Sequence, residues 1–118
     1  MAPDTLGELE HLILLAVQGI GEKNCYGVTI FGALRKAERP TSLGAIYATL
    51  DRLEAKGYVT SWFGDPSPIR GGRAKKFFRI QGLGREALNQ AERSIRHLRS
   101  LVPAAIVAPT PNTGRRGK

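Results

Sequence analysis

The apolar pattern of this chain changes period at Gly57, and that change restricts the folds open to it. Up to Lys56 the apolar residues recur at helical spacing. Directly after it comes Tyr58-Val59-Thr60-Ser61-Trp62-Phe63, a β-branched and aromatic run that favours a strand. A second such run, Lys75-Lys76-Phe77-Phe78-Arg79-Ile80, follows a stretch rich in Pro and Gly, and helical spacing then resumes. One hairpin set among helices describes a mainly α chain.

The helices can be placed from their stripes and caps. Thr5 followed by Glu8 reads as a capping box. In the helix it opens, Leu9, Leu12, Ile13, Ala16 and Val17 point inward, Glu10 and Gln18 are left for water, and Gly19 and Gly21 end it. A second helix is expected from Tyr26 to Lys36, with Val28, Ile30, Phe31 and Leu34 apolar and the basic pair Arg35-Lys36 at the negative end of its dipole. Pro40 closes this region and Thr41-Ser42 offers a new N-cap. The third helix, Leu43 to Lys56, carries Ile46, Leu50 and Leu53 as its stripe, flanked by Leu43 and Tyr47, and Gly57 caps it. Few residues join the second and third helices, which suits two helices packed at a steep angle.

In the hairpin, Phe78 and Ile80 are expected inward. The connection from Gly64 to Arg73 is too long and too rich in Pro and Gly for a tight turn, so it reads as a projecting loop with a basic tip. A fourth helix, roughly Leu83 to Val102, carries Leu88, Ala91, Ile95, Leu98 and Val102 at alternating steps of 3 and 4, an a/d seam that Pro103 should end. Residues 104–118 read as a mobile basic tail. The order is that of a winged helix-turn-helix: residues 5–81 form the module, 82–103 a C-terminal dimerisation helix, and 104–118 the tail.

Charge narrows the partner. The 118 residues suit one domain and carry 18 Lys and Arg against 10 Asp and Glu, a net +8. Residues 1–69 hold 6 basic and 8 acidic side chains, whereas residues 70–118 hold 12 and 2. The positive field therefore belongs to the wing, the last helix and the tail, and it calls for an acidic partner. Other classes recede. Cys25 is the single cysteine, so no internal disulfide forms, and His11 and His97 show no metal-ligand spacing. The run Leu12 to Val17 is too short to span a bilayer and no basic leader precedes it, so a soluble cytoplasmic protein without membrane association is expected. No phosphate-binding glycine loop, nucleophile–base pair or paired-carboxylate site is legible; neither an enzyme nor a cofactor is expected.

In a winged helix-turn-helix the third helix enters the major groove of double-stranded DNA and the wing lies beside it. Burying Ile46, Leu50 and Leu53 leaves Ser42, Gly44, Ala45, Ala48, Asp51 and Arg52 toward the exposed side. The small residues at 44, 45 and 48 let the helix approach DNA closely, and the Tyr47 hydroxyl either meets a phosphate or is simply solvated on a core-edge aromatic. Arg52 is the main long polar side chain for base reading. Asp51 either accepts from cytosine or repels phosphate, and the two roles stay open. The wing supplies Arg70, Gly71, Gly72, Arg73, Lys75 and Lys76, with Arg79 further along the strand. Two other readings stand beside a sequence-specific regulator: a nonspecific architectural DNA binder and a winged-helix adaptor for protein. Cys25 as a thiol sensor and Trp62 as a ligand-stacking residue are alternatives to plain packing roles.

The residues Leu9-Glu10-His11-Leu12-Ile13-Leu14-Leu15-Ala16, Tyr26-Gly27, Ser42 through Gly57, Gly71-Gly72-Arg73-x-Lys75-x-Phe77-x-Arg79-Ile80 and Gly84-Arg85-Glu86-Ala87-Leu88 together resemble the PadR family of bacterial transcriptional regulators. The resemblance covers roughly residues 6 to 88. It implies a homodimer whose third helix and wing bind a palindromic operator, repressor-like action, a dimerising C-terminal helix and, in some members, a small hydrophobic or aromatic effector. By the same resemblance Tyr47 matches a tyrosine that contacts the DNA backbone, Gly71, Gly72 and Arg73 match the wing, and Lys75 matches a basic residue after it. The chain departs from the family pattern with Leu43 and Ala74 where proline is frequent, and with Gln81 where threonine caps the last helix.

Overall fold

The structure is a computed structural model that describes residues 6–65 and 74–102. Its elements run in the expected order: α1 (Glu8–Ile20), α2 (Gly27–Lys36), α3 (Leu43–Ala55), β1 (Val59–Phe63), β2 (Lys76–Ile80) and α4 (Gly82–Leu101). The strands pair antiparallel from Val59↔Ile80 to Phe63↔Lys76. Outside the hairpin, Tyr26 makes an isolated bridge to Phe77, and the Phe78 N–H donates to the Cys25 carbonyl at 2.9 Å. The segment before α2 is thereby tied to the wing.

A C-terminal motif explains the change of period. Gly57 sits at φ 80°, left-handed backbone that glycine adopts without strain. Its N–H reaches the Glu54 carbonyl at 3.0 Å while the Tyr58 N–H reaches back to Leu53 at 2.9 Å. These two bonds form a Schellman motif, which satisfies the last carbonyls of α3 and turns the chain straight into β1. The end of α2 has the same pair of bonds, Glu38 N–H to Arg35 and Arg39 N–H to Leu34, but there Glu38 occupies the left-handed position at φ 61°. Ser42 then caps α3, its Oγ accepting from the Ala45 N–H at 3.0 Å.

One core joins all six elements. Ile13, Leu14 and Val17 of α1 meet Ile30 and Leu34 of α2, Ile46, Leu50 and Leu53 of α3, Val59, Phe78 and Ile80 of the hairpin, and Ala87 and Leu88 of α4. Each fully buried aliphatic or aromatic side chain here contributes about 1.5–3 kcal/mol of transfer free energy. The start of α4 is thus part of the winged module's own core. Gly84 makes that docking close: a Cβ there would lie 2.2 Å from the Tyr58 carbonyl oxygen.

Three expectations for α1 are corrected. The cap of α1 is Gly7 and not Thr5, which lies outside the described residues; the Gly7 N–H donates to Glu10 Oε1 at 3.0 Å. Glu10 itself, expected in water, is 8% exposed. It is buried because α3 brings cations to it, with Lys56 Nζ 3.0 Å and Arg52 Nε 3.8 Å from its Oε2. Gly19 also lies inside α1, which ends at Gly21 with φ 85°.

Candidate nucleic-acid interface

The exposed side of α3 carries Ser42, Gly44, Ala48, Asp51 and Arg52, with Ala45 half-buried and Tyr47 41% exposed. Gly44, Ala45 and Ala48 thus present little side-chain bulk, and the first-turn N–H groups of a helix have no intrahelical acceptors. Arg52, expected as the main base-reading side chain, keeps 57% of its side chain exposed. Its guanidinium donates to Thr49 Oγ1 at 3.1 Å and pairs with Glu10, so it is turned along its own helix toward α1.

Tyr47 rests on α2. A Cβ built on Gly27 would fall 2.2 Å from the Tyr47 hydroxyl oxygen and 2.4 Å from Cζ, so only glycine leaves room for the ring. Gly27 is the first residue of α2, and the tyrosine hydroxyl therefore lies at the start of that helix, where unpaired N–H groups and the positive end of the helix dipole favour an anion. Directly before it, the Tyr26 N–H donates to Thr29 Oγ1 at 3.0 Å and fixes the first turn.

The base of the wing reaches the side chain of the preceding residue, Tyr26. Lys75 Nζ stands 4.4 Å from the Tyr26 ring centroid and donates to its hydroxyl at 3.3 Å. Phe77 packs edge-on against Tyr26 at 5.5 Å and stacks with Trp62 at 5.9 Å. Trp62 is thus engaged in the hairpin, with Arg79 5.5 Å over its ring, and Arg79 is further paired with Glu22 at 3.5 Å. On the opposite face Lys76 Nζ sits 5.8 Å from both the Phe63 and Phe78 rings. Arg70, Gly71, Gly72 and Arg73 lie outside the described residues. Tyr47 and Lys75 were expected at this site, whereas Tyr26-Gly27 stood in the sequence only as part of the family resemblance and as a glycine in the first turn of a helix, where propensity alone disfavours it.

The seam expected on α4 divides. Leu88 is 1% exposed and belongs to the core of its own chain, and Ala91 is half-buried. Ile95 is 44% and Leu98 62% exposed, Val102 is half-buried, and Leu101, absent from the expected seam, is 63% exposed. On α1, Leu15 is 38% exposed, while His11 Nε2 faces Glu92 of α4 at 3.9 Å. A cleft of about 450 Å³ opens between the end of α1, β2 and the start of α4, and Glu22, Arg79, Gln81 and Arg85 give it a charged lining.

Other chemistry finds little support. Cys25 is fully buried, and burial pushes its thiol up to about 11, so the thiolate needed for sensing is scarce at neutral pH. No group of three or more potential metal ligands occurs among the described residues, and no helix among them is long and apolar enough to cross a membrane.

The fold has close counterparts among solved structures. A PadR family transcription regulator from Clostridium difficile superposes with a TM-score of 0.67 at 21% identity, over 80% of this chain and 94% of that one. A Streptococcus transcriptional regulator is 28% identical, with a TM-score of 0.61 over 79% of this chain and 86% of its own. Bacillus subtilis PadR, solved in complex with operator DNA, gives a TM-score of 0.60 at 19% identity; the match takes in 92% of this chain but only 53% of that protein. No curated protein matches the sequence. The sequence profile described as Transcriptional regulator PadR-like family matches residues 14–90. That span is well over half of the protein, and the chain belongs to the PadR-like family of transcriptional regulators.

Proposed function

We propose that this protein is a sequence-specific DNA-binding regulator that binds a palindromic operator as a homodimer and represses transcription from it. The observation that most supports DNA binding is the Tyr47 hydroxyl of α3 seated at the amino end of α2, a pair of donors suited to a backbone phosphate. Lys75, on the side chain of the neighbouring Tyr26, adds a cation from the wing. The neighbour from Bacillus subtilis, solved with operator DNA, supports the same use of the fold. In this reading α3 enters the major groove through its small residues, and Arg70, Arg73, Lys75 and Lys76 lie along the backbone.

The exposed Ile95, Leu98 and Leu101 support dimerisation through the second half of α4. Two recognition helices related by a two-fold axis match two half-sites about one helical turn apart. The cleft within the subunit is charged, so a small hydrophobic effector that relieves repression finds its apolar surface on the face shared by α1 and α4.

The test is selection of duplexes from a random pool, followed by binding to the selected and scrambled sequences at several salt concentrations. A specific regulator prefers the selected duplex by at least about a thousandfold. Equal affinity for both would establish a nonspecific binder, and no salt-sensitive binding would establish a protein adaptor. Leu98→Glu should give a monomer by sedimentation with weakened operator binding. A retained dimer places the interface elsewhere.

A further inference from the structure

The hairpin carries one aromatic side chain that its own fold does not use. Phe63, the last residue of β1, is 68% exposed, more than any other large hydrophobic among the described residues. Strand alternation places it on the face of Val59 and Ser61. That face looks toward α3: Val59 is buried in the core, and Ser61 Oγ donates to Glu54 Oε2 at 2.7 Å. Phe63 continues the row one step further out, beyond the end of the core, at the strand end that leads into the wing loop. Its cross-strand partner is Lys76, whose ammonium lies 5.8 Å from the ring.

We propose that Phe63 is an apolar DNA contact of the wing, its ring laid against the deoxyribose edge of the minor groove while Lys76 holds the adjoining phosphate. Charge selects this occupant. The ring sits beside Lys76, and the residues that join the two strands add Arg70, Arg73 and Lys75 against Asp65 alone. An apolar protein partner would have to desolvate those cations, whereas duplex DNA neutralises them and offers an apolar sugar surface between its phosphates. Apolar side chains inserted at the minor groove are an established way for proteins to grip and bend a duplex. Such a contact adds affinity that salt does not screen, distinct from that of the surrounding lysines and arginines.

The inference rests on the DNA-binding reading above, and the experiment separates the two. Wild type, Phe63→Ala, Phe63→Leu and Lys76→Ala are titrated with the duplex selected from the random pool, across a salt series, with melting and sedimentation measured alongside. Phe63→Ala should bind about tenfold more weakly at every salt concentration. Its salt slope, melting temperature and oligomeric state should be unchanged. Phe63→Leu should recover most of the loss. Lys76→Ala should instead lower the salt slope by about one unit. Hydroxyl-radical protection of sugars at the outer ends of each half-site should fade in Phe63→Ala. If wild type binds without salt dependence or not at all, the DNA-binding reading and this inference fail together. If wild type binds and Phe63→Ala binds equally well, this inference alone is overturned. Weakened binding accompanied by loss of the dimer would also overturn it, because Phe63 would then serve contact between subunits.

Discussion

Replacing Gly27 with alanine tests whether the Tyr47 hydroxyl is held in place for DNA. The added Cβ would lie 2.2 Å from the hydroxyl oxygen and 2.4 Å from Cζ, against a normal separation of about 3.5–4.0 Å, so the ring must move by more than 1 Å. Tyr47 is 41% exposed and can swing into solvent without disturbing the core. Gly27 itself has ordinary helical backbone, with no positive φ, so alanine is not strained there and raises helix propensity by up to about 1 kcal/mol. Stability should therefore hold or rise slightly. Affinity should fall, because a hydrogen bond to a charged phosphate contributes about 1.5–3 kcal/mol, equivalent to about a 10- to 150-fold change. The assay is fluorescence anisotropy of a labelled selected duplex at fixed salt, with thermal melts of the same samples. In a Tyr47→Ala background the Gly27→Ala change should have almost no further effect on binding, since the group it displaces is gone. Wild-type affinity in Gly27→Ala, or full additivity in the double variant, would refute the argument.

Three further substitutions or measurements test the frame around that site. Burial alone would raise the Glu10 carboxyl, but the Gly7 N–H, the Lys56 ammonium and Arg52 outweigh it and hold the group below its ordinary value. Its stabilising contribution is therefore complete above the unfolded-state carboxyl range and is lost as pH falls through the lower folded value. Glu10→Gln should reduce stability by about 1–2 kcal/mol near neutral pH, with a smaller deficit in acid. A denaturant titration at several pH values measures this, and a pH-independent deficit would count against the charge pairing. Glu38→Gly should stabilise the turn between α2 and α3 by about 0.5–1 kcal/mol, because the left-handed position no longer carries a side chain; a lower denaturation midpoint would contradict this. Cys25 should react with a thiol reagent far more slowly in the native protein at pH 7 than in denaturant, and equal rates would show the thiol to be accessible.

What could be read from the sequence was whatever depends on period and local caps. Ile46, Leu50 and Leu53 repeat at helical spacing, Ser42 and Gly57 bracket them, and the hairpin pattern follows, so α3 and the strands fall within a residue or two of their observed limits. Contacts between elements remote in sequence were not legible. Glu10 looked like a solvent residue because its helical face lay beside the apolar stripe, and only the approach of Lys56 and Arg52 from α3 makes its burial favourable. Leu88 and Leu98 share one heptad seam in sequence, yet they divide because the core ends partway along α4. Gly27 could not be linked to Tyr47, since nothing local reveals which side chain crosses from another helix.

In the proposed dimer the division of α4 would tie folding to assembly. The helix has 20 residues, and residues 93–101 are exposed throughout, covered by no buried core among the described residues. So short a segment is marginal as a helix in water unless an apolar face is covered. In the dimer proposed above, a second subunit covering Ile95, Leu98 and Leu101 would stabilise the helix as it bound, and mass action would make that stability depend on concentration. Dilution of such a dimer would do more than separate two finished subunits: it would fray the end of α4, and the cell's stock of ordered chain would rise and fall with the amount of protein it makes.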